Sequence, residues 1–194
     1  MIHEGVITTL NADGSAHVSP MGFVRDADRV DIAPFVPSTT LDNLRRHPQA
    51  VMNLTDDVRI IAGALTGRRE WPVAAAHAVR GWRLADTLAH LELEVREHDR
   101  DAVRPVFRLS VLHEQHHRAF CGFNRAQAAV VEAAILVSRL DFIDPGKLAS
   151  EITYLHIAVA KTAGDAERRA WRWLLDAIAV HRRHTLEVDA LYCD

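Results

Sequence analysis

Near Gly122 the spacing of apolar residues changes, and that change limits what the chain can become. Before it, apolar and polar residues alternate in short runs divided by turn formers; after it, apolar residues recur every three or four positions. Val6-Ile7-Thr8-Thr9-Leu10, Asn11-Ala12-Asp13-Gly14 and Ala16-His17-Val18-Ser19 read as a β-hairpin, because Asp-Gly supplies the positive φ of a tight turn. Further strands are expected at residues 29–33 and 50–54. Between them, residues 38–47 predict a two-turn helix with hydroxyls at its start, bases in its last turn and Pro48 after it. Residues 56–65 predict a second short helix. Alternation returns at 88–96 and 103–111, predicting two half-exposed antiparallel strands joined through His98-Asp99-Arg100-Asp101, with Pro105 at an edge position.

Beyond Gly122, three helices follow. Asn124 can cap the first, whose stripe is Val130, Ala133, Val137 and Leu140. Asp144-Pro145 starts the second, with Leu148, Ile152, Leu155 and Val159 on one face and Gly164 as its stop. The third opens at Asp165, carries Trp171, Leu174, Leu175 and Ile178, and ends in His181-Arg182-Arg183-His184. Trp171 and Trp173, two apart, face different ways, and packing accounts for both. The expected class is α+β, with a β-rich domain over 1–120 and a helical subdomain over 121–194.

Composition narrows the function. The 194 residues are 48% apolar and 25% charged, with a formal charge of −3, so no cation excess favours a nucleic-acid backbone. No long uncharged apolar run predicts a membrane span, and the start Met-Ile-His-Glu-Gly does not read as an export signal. Two isolated cysteines, Cys121 and Cys193, suit reduced thiols in a cytoplasm.

Residues 113–117, His-Glu-Gln-His-His, match the helical zinc motif His-Glu-x-x-His. They close a run of strand alternation, where residues four apart are about 13 Å apart, too far to share an ion. No metal is expected, and His113→Ala is expected to leave metal content unchanged. Dinucleotide, P-loop and serine-elbow motifs are absent. Ser38-Thr39-Thr40 can cap a helix or bind an anion there. Flanking it, Gly22 either lets a planar ligand approach the backbone or belongs to a bend at Pro20-Met21-Gly22. Asn53 offers a donor and an acceptor to a ring edge, or is an asparagine at the edge of the core.

Seven short pieces then fall in a recognisable order: Glu4, Thr8-Thr9, Asp13-Gly14, Ser19-Pro20-Met21-Gly22, Pro34-Phe35 with Ser38, Thr40 and Asn43-Leu44, Val51-Met52-Asn53-Leu54-Thr55-Asp56-Asp57, and Phe123-Asn124-Arg125-Ala126. In this order the chain resembles the uncharacterised split-barrel flavoproteins of methanogens and methylotrophs, domain of unknown function 447. The resemblance implies an FMN-binding split β-barrel related to flavin reductases and pyridoxamine-phosphate oxidases, a C-terminal helical unit, and a homodimer with flavin near the subunit interface. It puts Ser38, Thr39 and Thr40 at the FMN phosphate, Asn43 in support of that helix start, and Ser19, Pro20, Met21, Gly22 and Asn53 along the isoalloxazine. Asn124 and Arg125 become substrate-pocket candidates. Related barrels often carry an arginine where Thr39 stands; Arg25, Arg45 or Arg68 are the candidates to replace it. The implied activity is hydride or electron transfer through FMN, with a pterin-like, one-carbon link. The alternatives are a flavin binder or assembly protein without turnover and a user of the deazaflavin F420. No catalytic side chain is assigned.

Overall fold

The computed structural model describes residues 1–99 and 103–181. Arg100 and Asp101 of the expected connection, Arg182, Arg183 and His184 of the cationic run, and Cys193 lie outside the described residues. The elements are β1 (Ile2–Leu10), β2 (Ala16–Asp26), β3 (Arg29–Ile32), α1 (Thr39–Arg46), β4 (Gln49–Leu54), α2 (Val58–Leu65), β5 (Val73–Ala75), β6 (Trp82–Leu84), β7 (Ala89–His98), β8 (Phe107–His116), α3 (Arg125–Val137), α4 (Pro145–Thr162) and α5 (Asp165–His181). They fall into two compact units. The first is Met1–Asp56 with Arg69–Cys121; the second is Asp57–Arg68 with the chain from Gly122 onward.

In the first unit six strands close a barrel in the order β1-β2-β3-β8-β7-β4, all neighbours antiparallel. The β1–β2 turn is the predicted one: Gly14 has φ +85° and its N–H donates to Asn11 O at 3.0 Å. Alternate residues of the strands fill the interior, among them Ile7, Phe23, Met52, Leu91, Leu93 and Phe107, and α1 adds Leu41 and Leu44 to this core. β5 and β6 form a separate two-stranded sheet that the sequence pattern did not reveal. At Gly5 two side chains lie against the backbone: a Cβ there would lie 2.8 Å from Met52 Sδ and 3.0 Å from Phe23 Cε1. Gly5→Ala is expected to cost about 1–3 kcal/mol by overpacking, read as a lower urea midpoint. An unchanged midpoint would mean that Met52 and Phe23 yield freely.

Three sequence expectations change here. β2 runs through Pro20, Met21 and Gly22 in register with β1, so no bend forms there. The first five residues of β7 are buried rather than half-exposed, because β4 and β8 flank the strand and residues 77–79 bond to its Glu92 side chain. Pro105 precedes β8, which begins at Phe107, and so needs no edge position in the ladder.

The second unit has its own core. α3 contributes Ala126, Val130 and Ala133, α4 contributes Leu148, Ile152 and Val159, and α5 contributes Trp171, Leu174 and Ile178. Trp173 lies at the margin of this core, with the Arg68 guanidinium 4.3 Å from its ring centre. The sequence-based division at residue 120 treats the chain as two consecutive stretches. The structure instead groups residues 57–68 with the later helices, because Val58 and Ala62 of α2 pack into the core made by α3 and α5.

Candidate functional site

Ser38 is the N-cap of α1: its backbone is extended (φ −157°, ψ 150°) and its Oγ accepts from Leu41 N at 3.3 Å. The first N–H groups of the helix, those of Thr39 and Thr40, have no partner among the described residues. These two N–H groups, the half-buried Ser38 hydroxyl and the positive end of the helix dipole meet at one corner, an arrangement that suits an anion, while the Thr40 side chain beside them is 2% accessible. Asn43 fixes the helix. Its Nδ2 donates to Thr9 Oγ1 and Asn11 Oδ1, both at 3.0 Å, and its Oδ1 accepts from Arg46 at 2.6 Å.

α1 packs against β1 and β2. Over residues 16–22, β2 has β1 on one side and, among the described residues, no strand on the other, since four-residue β3 pairs only with residues 23–26. Ser19, Pro20, Met21 and Gly22 therefore lie on an open strand edge and are half-buried. Ser19 Oγ donates to Pro20 O at 3.3 Å. A Cβ on Gly22 would meet Ile2 Cγ2 at 3.5 Å and Glu4 Oε1 at 3.9 Å, ordinary contacts, so packing does not demand glycine there.

Two of the expected site residues make internal hydrogen bonds. Asn53, expected beside a ring system, is fully buried; its Nδ2 donates to Val6 O and Thr8 Oγ1 (3.0 and 3.2 Å) and its Oδ1 accepts from Leu84 N (2.8 Å), tying β4 to β1 and β6. Asn124 caps α3 in the helical unit, accepting from Ala126 N at 2.8 Å and Gln127 N at 3.3 Å and donating to Thr162 O at 3.1 Å. Arg125 beside it is exposed. Each candidate arginine has a partner or position of its own. Arg25 forms a bidentate pair with Glu114 (3.1 and 2.7 Å), Arg68 covers Trp173, and Arg45 sits in the last turn of α1, about 9 Å of helix rise from Thr39. A cleft of about 360 Å³ opens beside the β1–β2 turn, lined by Leu10, Gly14, Val79, Arg80 and Trp82 among others, and includes neither Ser38 nor residues 19–22.

Sequence reasoning missed a second cluster in the barrel unit. Glu92 is fully buried, and its carboxylate accepts from the N–H groups of His77, Ala78 and Val79 at 2.7, 2.5 and 2.9 Å. His90, 1% exposed, places Nε2 3.1 Å from Glu92 Oε1 and Nδ1 2.9 Å from His117 Nε2. The His113 ring centre is 5.9 Å from that of His90 and 5.1 Å from that of His77. Burial is the largest influence on His90 and lowers its pKa; the hydrogen bond and charge of Glu92 only partly oppose it, so the ring is neutral at neutral pH. Burial, chiefly, also lowers that of His117. For Glu92 burial acts upward, but the three backbone donors and His90 together outweigh it and hold the carboxyl below its ordinary range.

Comparison with known proteins places these features. The family model described as protein of unknown function (DUF447), N-terminal domain, matches residues 3–118, and the companion DUF447 model matches residues 124–176. The crystal structure of FMN-bound protein MM1853 from Methanosarcina mazei, of the same family model, is similar with a TM-score of 0.78 at 20% identity, over 91% of this chain and 94% of that one. Flavin reductase HpaC complexed with NADP+ superposes with a TM-score of 0.53 at 17% identity, over 63% and 82% of the two chains. The styrene monooxygenase flavin reductase of Pseudomonas putida S12 gives 0.50 at 12% identity, over 59% and 79%. No curated protein matches the chain. The barrel is thus of the flavin-reductase, split-barrel type, followed by a helical region, and with family models spanning most of its length the chain belongs to the DUF447 family.

Proposed function

We propose that the protein binds FMN and works as a flavin-dependent oxidoreductase. The observation that carries the reading is the uncommitted start of α1, packed beside the open half of β2. Ser38, Thr40 and the Thr39 and Thr40 N–H groups would hold the phosphate, and Asn43 keeps that corner rigid by its bonds to Thr9 and Asn11. The open edge at Ser19 to Gly22 offers backbone donors and acceptors to the rim of the ring system, with Ile2 supplying apolar cover over Gly22. Asn53 acts from beneath by holding β1 to β4. Bound FMN supplies hydride and electron transfer; the chain's task is to hold and orient it and to leave one face open to a second reactant. The FMN-bound relative from Methanosarcina mazei supports the cofactor assignment.

An exposed β2 edge and the exposed apolar side chains Ile2 and Phe35, 73% and 59% accessible, favour a homodimer that completes the pocket. A pterin-like, one-carbon substrate is the class to screen first as the second reactant. One observation favours a second reading, a flavin binder without turnover: no arginine stands where Thr39 begins the helix, so the phosphate lacks a charge-assisted, bidentate contact.

Titration of the full chain with FMN, followed by flavin fluorescence, tests the site. The double variant Ser38→Ala, Thr40→Ala is expected to bind about 10- to 100-fold more weakly with helical content retained, and Thr39→Arg to bind more tightly. Equal affinity in all three proteins would remove the phosphate assignment. Reduction of the bound flavin by a reduced nicotinamide, with oxygen excluded, separates the oxidoreductase from the binder.

A further inference from the structure

We infer that His90, Glu92 and His113 form a site for a divalent transition-metal ion of the zinc type on the outer face of the β7–β8 pair. One donor atom from each lies within 4.8 Å of the other two. The strands dictate the arrangement. His90 and Glu92 are two apart on β7 and so share a face, and His113 is the register partner of Glu92 on β8. The ladder shifts register immediately after that pair, the kind of irregularity that re-aims a side chain.

The donors are prepared unequally, in a way that suits an ion. His90 Nε2 and Glu92 Oε1, 3.1 Å apart, already have about the spacing of neighbouring ligands on a tetrahedral zinc with bonds of about 2.0–2.2 Å. His113 makes no hydrogen bond among the described residues, so its ring is free to turn in by the remaining distance. The outer partners are also in place. When an ion replaces the proton between His90 Nε2 and Glu92, the ring's remaining proton sits on Nδ1, 2.9 Å from His117 Nε2, which accepts it. Three backbone N–H groups fix the Glu92 carboxylate. A buried carboxylate satisfied by those groups does not require two imidazoles beside it; an ion does.

Two imidazoles and one carboxylate select zinc and its first-row neighbours over magnesium or calcium, which take oxygen donors. Three protein ligands leave one position for water or an anionic ligand. The inference rests on no part of the flavin reading.

The test is titration of the metal-free full chain with Co2+, read by its d–d absorption, followed by displacement with Zn2+ in competition with a chromophoric chelator. One equivalent is expected to saturate the wild type. His113→Ala is expected to lose about tenfold or more in Zn2+ affinity, and His116→Ala, an exposed neighbour of the same strand, to bind as the wild type does. His117→Ala, also at an exposed position, is expected to weaken binding by about tenfold through loss of the bond that orients His90. Circular dichroism checks the fold of each variant, and His117→Ala decides if His113→Ala does not fold. A signal that never saturates, a folded His113→Ala that binds like wild type, or a loss in His116→Ala equal to that in His113→Ala would overturn the site.

Discussion

Glu92→Ala, measured on metal-free protein, is expected to lower stability by about 3–5 kcal/mol, with a matching fall in the urea midpoint. The substitution removes the acceptor for three consecutive N–H groups and for His90 and leaves a hole where the side chain was fully buried. Water can reach His77 and Ala78, which are exposed, but Val79 is 6% accessible and its N–H would lose its partner inside the fold. Glu92→Gln should lie between the two, since its amide keeps an acceptor oxygen but turns an NH2 toward donors. Limited proteolysis adds a local readout: cleavage near residues 77–79 should appear in Glu92→Ala before the barrel itself is attacked. Equal midpoints for wild type and Glu92→Ala would mean that the carboxylate anchors nothing.

Asn53→Ala is expected to cost about 2–4 kcal/mol. Its amide spans three elements, and the Leu84 N–H is left without its acceptor in the interior. Asn53→Asp separates hydrogen bonding from volume, because it keeps the acceptor for Leu84 but sets a second oxygen against Val6 O. Both variants should be destabilised, with no first effect on the phosphate corner at Ser38. A stable Asn53→Ala protein that has lost only flavin affinity would instead put this side chain at the ring.

Much of the architecture is carried by short-range pattern. Asp13-Gly14, the Ser38 cap, the Asp144-Pro145 start and the stripe through Trp171 and Ile178 each encode an element locally, and each forms. What is not legible depends on distant partners. The turn chemistry of Pro20-Met21-Gly22 does not show that β2 continues there; its pairing with β1, Glu4 opposite Gly22, does. Asn53 reads as a ligand to a ring until Leu84, 31 residues on, is seen to donate to it. The His113 motif has helical spacing but starts within strand β8. In the fold both ends flank His90: His113 from within β8, and His117 after the strand stops, where its N–H turns to Leu88 O at 2.7 Å. Of that motif only His113 joins His90 and Glu92, through the pairing of β7 with β8; Glu114 is bound to Arg25 and His117 to His90.

The membership of α2 in the helical core has a temporal side. During synthesis α2 is complete at Leu65, yet its packing partner α3 starts at Arg125, so 59 residues must be added before that partner begins. At about 5–20 residues per second the wait is roughly 3–12 s. Through that interval Val58 and Ala62 have no helix to cover them, while β1 to β4 are already made and β5 to β8 emerge in turn. The nascent chain is thus committed to shielding a short apolar helix for seconds, and slow translation between residues 65 and 125 would lengthen the exposure.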